Sequence, residues 1–158
     1  MIKISELKEG NAEVLASINK LLPQLSSSAQ QISMDRLLEL INSDSTLLFL
    51  GIDDDGQILG MLSLIILKIP TGNKAWIEDV VVDVKSRGKG LGKSLMDHAL
   101  ERAKIFGVKS IDLTSRPSRE SANKLYQSLG YKIRETNVYR YKVSLFHQVF
   151  FNFQTLLK

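Results

Sequence analysis

Three strand-like runs follow one another with only short turns between them, and this succession does most to limit the folds open to the chain. TLLFLGI (46–52), QILGMLSLIIL (57–67) and AWIEDVVVDV (75–84) are rich in β-branched and large apolar residues. DDDG and TGNK link them, and Asp55-Gly56 is a good hairpin signal. Turns this short join antiparallel neighbours, so the three runs are expected to form a meander.

The remaining elements arrange themselves around that meander. MIKIS alternates as a short strand does, and Val14, Leu15, Ile18, Leu21 and Leu22 recur at helical spacing after Asn11, a natural N-cap. A second helix follows Ser33, with Leu37, Leu38 and Ile41 on one side. Leu91, Leu95, Ala99, Ala103 and Phe106 make a third apolar stripe, ended by Gly107. VKSIDLTS reads as a strand, and Pro117-Ser118 opens a short helix carrying Ala122, Leu125, Tyr126 and Leu129, stopped by Gly130. YKIRE and VYRYKVSL are expected to complete the sheet. The order β-α-α-β-β-β-α-β-α-β-β implies one mixed α/β sheet, mostly antiparallel, with helices on both faces.

At 158 residues, 44% hydrophobic and 24% charged, the chain has room for one soluble domain over residues 1–145. Its net charge of +4 is too mild to demand nucleic acid. The absence of cysteine excludes disulfides and thiolate catalysis, and His98 and His147 lack neighbours at metal-ligand spacing, so no metal is expected. No stretch is long and apolar enough to span a bilayer, and the N-terminus lacks a signal peptide's apolar run, which makes the cytoplasm the expected location.

KSRGKGLGKS (85–94) stands between the third run of the meander and the third helix. It packs three glycines with Lys85, Arg87, Lys89 and Lys93. Strand, glycine-rich turn and helix N-terminus together favour an anion: free main-chain N–H groups and the helix dipole point at it, and glycine lets a phosphate come close. A P-loop would need glycine at Arg87, and the dinucleotide pattern would need it at Lys93, so both nucleotide motifs fail.

What remains is R-x-x-G-x-G, met by Arg87, Gly90 and Gly92, followed by A-x-x-L-Y-x-x-x-G-[FY], met by Ala122, Leu125, Tyr126, Gly130 and Tyr131. On these motifs and their flanks, roughly residues 1–143, the chain resembles the GNAT acyltransferase superfamily. The resemblance implies acetyl-CoA as cosubstrate. It implies that main-chain amides of Gly88, Lys89, Gly90, Leu91, Gly92 and Lys93, beside Arg87, hold the coenzyme diphosphate. It further implies that the strand edge at Val80, Val81 and Val82 bonds the pantetheine arm, with Asn123 as another contact. Two amides in that arm match the N–H and C=O groups a sheet edge leaves open, and three successive valines suit a bulge or a strand covered on both faces. Many members carry Asn where this chain has Arg119; Arg116 and Arg119 read as solvated charges or as attractors of an anion.

Attack on a thioester by an amine requires a neutral nitrogen, whereas an alkylamine with a pKa of about 10.4 is protonated at pH 7. A base is therefore useful, and the departing thiolate gains from an acid of similar pKa, for which a phenol at about 10 serves. The resemblance puts Tyr126 in the donor role and Glu78 in the base role, with Asp79 the other carboxylate. Strict alternation would send Glu78 and Asp79 to opposite faces. The expected activity is N-acetylation of a primary amine, with a small molecule as acceptor. A protein or peptide amine, or a non-catalytic acyl-CoA-binding module, is the alternative.

Phe146, Val149, Phe150, Phe153 and Leu157 form one helical stripe in an apolar extension, residues 146–158. Its polar face (Gln148, Asn152, Gln154, Thr155) is neutral, which favours docking on the domain or homodimerisation over a membrane surface.

Overall fold

The computed structural model describes residues 2–143. Its element order is β1 (Lys3–Glu6), α1 (Ala12–Leu25), α2 (Met34–Ile41), β2 (Thr46–Ile52), β3 (Ile58–Ile69), β4 (Gly72–Val82), α3 (Leu91–Ile105), β5 (Ile111–Leu113) and α4 (Glu120–Ser128). The sheet runs β1-β2-β3-β4-β5, antiparallel except for the β4–β5 pair. The meander and the mixed α/β architecture are as the sequence implied.

Local chemistry places the ends. Asn11 Oδ1 accepts from Val14 N at 2.9 Å, and Ser33 Oγ from Arg36 N at 3.2 Å, each supplying an acceptor to a helix's orphan amides. Gly56 turns the β2–β3 hairpin at φ 78°, while Asp53 Oδ1 accepts from the amides of Asp55 and Gln57. Gly107 and Gly130 end α3 and α4 in the left-handed region, at φ 62° and 88°.

Strand alternation then sorts the apolar side chains into two cores. Leu48, Leu50, Met61 and Val81 meet Ile18, Leu21 and Leu37 of α1 and α2 on one face. Leu47, Phe49, Leu62, Leu64, Ile66, Ala75 and Ile77 meet Leu91, Leu95, Met96, Ala99 and Ala103 of α3 and Tyr126 of α4 on the other. Each fully buried Leu or Ile contributes roughly 1.5–3 kcal/mol. Gly60 is hemmed in by β4 and α3: a Cβ there would lie 2.9 Å from the Val81 carbonyl oxygen and 3.2 Å from Leu91 Cδ2. Gly60→Ala is therefore expected to destabilise the fold by about 1–3 kcal/mol, seen as a thermal midpoint lower by several degrees.

Two expectations need correction. The alternation that would separate Glu78 from Asp79 is broken between them. Ser63 pairs with Glu78 and Met61 with Val81, so Asp79 and Val80 together oppose the single residue Leu62, and Asp79 takes φ 54°. This is a β-bulge, and the two-residue period restarts one position late beyond it. Nor do YKIRE and VYRYKVSL form strands: residues 131–143 have none, and the end of the second run and the apolar extension 146–158 lie outside the described residues. Alternation alone does not make a strand, because its N–H and C=O groups need an edge. Ile133, Tyr139 and Tyr141 are 82–89% exposed, and the Arg134–Asp112 ion pair is the polar link seen from this segment to β5.

Candidate active site

Strand β4 pairs with β5 only over Ala75–Ile77, opposite Ile111–Leu113. Past Ile77 the two separate, and from Glu78 to Val82 β4 has no partner strand on that side, the Val82 carbonyl alone being taken by Arg87 Nε. Val80 and Val82 turn toward the α3 and α4 side, and Val81 is buried against α1 and α2. The side chains are thus committed to packing, and what this stretch offers the opening is backbone.

The glycine-rich turn lies at the end of that edge. Gly88 and Gly90 adopt φ 76° and 82°, conformations an L-side chain resists, and a Cβ at either would meet nothing within 4 Å. Gly90 is the N-cap of α3 and has no side chain to satisfy the helix's first amides. Among the described residues, none of the main-chain N–H groups from Gly88 to Lys93 has an acceptor; the first bond in the turn is Ser94 N to Gly90 O. Six free donors at the positive end of a helix fit a diphosphate.

The side chains here do other work. Leu91 is 2% exposed and anchors α3 in the core. Lys93 pairs with Asp97 at 2.5 Å, and Arg87 Nε donates to the Val82 carbonyl at 3.1 Å, so both lean on the protein itself. Lys89 remains exposed, without a carboxylate partner among the described residues. At Gly92 a Cβ would stand 3.2 Å from Leu125 Cδ2, so this glycine lets α4 approach the start of α3.

That approach brings Tyr126 to the opening. It is 8% exposed, with its ring 6.2 Å from that of Tyr131. Burial raises the Tyr126 phenol pKa and the charge of Arg119 draws it down. Tyr131 is pushed up to about 12, by burial first and then by Tyr126 and Asp112, and its buried hydroxyl has no partner. Of the two phenols, Tyr126 is the one whose environment includes a cation. A cavity of about 790 Å³ reaches Tyr126, walled also by Trp76, Thr114, Asn123 and Ile133. Asn123 spends its Nδ2 on the Arg116 carbonyl at 3.0 Å, holding the turn before α4.

Glu78 is exposed beside the bulge, and its Oε1 accepts from Trp76 Nε1 at 2.7 Å. Trp76 was not singled out in the sequence, although its place two residues before Glu78 on the same strand face is an alternation signal. Asp79 has its carboxyl pKa raised, by burial first and then by the charge of Glu78. Asp83 was also missed. It is 6% exposed, caps the turn at Val84–Ser86 by accepting from Lys85 N at 2.9 Å, and is held below the usual carboxylate range chiefly by that bond. An Asp bonding an amide two residues on is legible in DVKS as a turn signal. The loop, the strand edge and α4, each with residues expected at the site, lie together in the fold: a Cβ on Gly92 would stand 3.2 Å from Leu125 Cδ2 and 3.9 Å from Val82 Cγ2.

Residues 15–131 match the Acetyltransferase (GNAT) family. An uncharacterized N-acetyltransferase of Bacillus subtilis is 29% identical over 103 residues, 63% of this chain and 71% of that protein. A glucosamine 6-phosphate N-acetyltransferase of Trypanosoma brucei brucei is 39% identical over 83 residues, 51% of this chain and 54% of the relative. Among solved structures, an acetyltransferase of Trypanosoma brucei superposes with a TM-score of 0.74 at 26% identity, covering 90% of this chain and 100% of that one.

Proposed function

Because the chain belongs to the acetyltransferase (GNAT) family, we propose that it moves the acetyl group of acetyl-CoA to the primary amine of a small molecule. The observation that carries this reading is the run of unpartnered N–H groups from Gly88 to Lys93, set beside the unpaired edge of β4. The loop would hold the diphosphate, and the main chain of Val80–Val82 would bond the pantetheine arm as a neighbouring strand does. Acetyl-CoA supplies an activated thioester; the chain's own groups align it and move protons. Tyr126 Oη would give a proton to the departing sulfur. The Glu78 carboxylate, steadied by Trp76 Nε1, would take one from the acceptor nitrogen, directly or through water.

Two adjacent carboxylates at the bulge, Glu78 and Asp79, favour a cationic acceptor over a neutral one. The amino-sugar relative supports a small molecule. The experiment is free-thiol release from acetyl-CoA with amino sugars, diamines and peptides as acceptors. Release with a small amine is expected. Binding of acetyl-CoA with no release across the panel, or release with peptides alone, would overturn the proposal. With the acceptor found, Glu78→Gln is expected to lower turnover about tenfold or more without weakening acetyl-CoA binding.

A further inference from the structure

Arg119 is poorly placed for the helix it begins. It is the N-cap of α4, yet its side chain makes no capping bond. A cation at that end also opposes the helix dipole. Neither feature of α4 accounts for an arginine here, and a residue that breaks a local rule marks a constraint from elsewhere.

The constraint is visible at α1. Arg119 Nη2 donates to the carbonyl of Leu25, the last residue of α1, in a part-buried bond between positions 94 apart in the chain. A carbonyl in the last turn has no intrahelical donor, and a cation there meets the negative end of the α1 dipole. The same turn of α1 also grips the start of the glycine-rich loop. Gln24 Nε2 donates to Asp83 Oδ2 at 3.3 Å, Val84 N donates to Gln24 Oε1 at 2.8 Å, and Lys20 Nζ lies 3.8 Å from Asp83. The end of α1 therefore fastens to both walls of the opening: the loop on one side, the helix of Tyr126 on the other.

Seven residues separate Arg119 from Tyr126, close to two helical turns, so both lie on one side of α4. We propose that Arg119 is a positioning residue for acetyl transfer: anchored on the Leu25 carbonyl, it fixes α4 against α1 and keeps a positive charge within electrostatic reach of the Tyr126 hydroxyl. The inference rests on Tyr126 being the proton donor. The charge that acts on the Tyr126 phenol is that of Arg119; Tyr131 packs beside it, and its own phenol is raised in part by Tyr126 and Asp112. Burial disfavours the phenolate and Arg119 favours it, so losing the cation raises the phenol's pKa. A donor works below its pKa, and the alkaline limb of turnover must then move up.

The test is a tyrosinate absorbance titration, with the curve of the matching Tyr126→Phe protein subtracted to isolate Tyr126. In Arg119→Gln the isolated midpoint is expected to rise, with Arg119→Lys returning most of the way. The alkaline limb of kcat should follow in both. If Arg119 only fastens helices, Arg119→Gln will lower the thermal midpoint and leave the titration where it was, and the proposal falls while Tyr126 keeps its role. If the titration moves but Tyr126→Phe retains full turnover, the donor assignment fails, and the catalytic part of Arg119 fails with it. Arg119→Met also removes the charge while keeping a long side chain, so it gives the same reading if the glutamine variant folds poorly.

Discussion

Gly90→Asp is expected to cost the protein its grip on coenzyme A while leaving the fold in place. At φ 82° any side chain is strained, but Asp tolerates the left-handed region better than most, and a Cβ there meets nothing within 4 Å. The local penalty is about 1 kcal/mol. Its carboxylate would stand at the cap of α3, where the amides of Leu91 to Lys93 have no acceptor. It would satisfy them from within the chain and set a negative charge at the place proposed for the diphosphate. The dissociation constant for coenzyme A should rise at least about 100-fold, or about 2.7 kcal/mol, with little change in thermal midpoint. Gly90→Asn, which caps without charge, should fall between. Calorimetric titration and a thermal melt read both quantities. Unchanged affinity would remove the loop from the binding site.

Tyr126→Phe should lower turnover by about 10- to 1000-fold while acetyl-CoA binds as before. The substitution keeps the ring, and hence the packing against Tyr131 and the α3 core. Only the hydroxyl goes, and no group among the described residues hydrogen-bonds to it, so no buried partner is orphaned. Because burial raises the phenol's pKa, the alkaline limb of the wild type should mark loss of the Tyr126 proton. The variant should lack that limb. Each tenfold of rate corresponds to about 1.4 kcal/mol of barrier, within what one positioned proton donor supplies. An unchanged rate with the true acceptor would take Tyr126 out of the mechanism.

The features the chain announces in its own order are those whose physics is local. Asn11, Ser33, Gly107 and Gly130 end helices through bonds and backbone angles within a few residues, and each is where the pattern puts it. The two motif glycines are legible for the same reason: Gly90 and Gly92 serve main-chain conformation and close approach, which residue type alone signals. The valine run hinted at a bulge, but its place at Asp79 and Val80 depends on the register of β3 against β4.

Pairing and assembly belong to contacts between distant segments. The parting of β4 from β5 after Ile77, which opens the cleft, is set where β5 ends at Leu113. The latch from Arg119 to Leu25, and the one from Gln24 to Asp83, join residues 94 and 59 apart. No periodicity encodes such partners, because side-chain spacing reports only which face a residue shares with its near neighbours. The alternating residues of 131–143 make the converse point: the pattern is present, yet these residues pair with no strand edge and form no strand. Amino-acid order alone thus settled the helices, the meander and the glycine-rich turn, since each answers to forces acting over a few residues. Where the cleft opens, which phenol sits beside a cation and what binds α1 to both its walls were left to the folded chain, because those depend on surfaces that meet only after collapse.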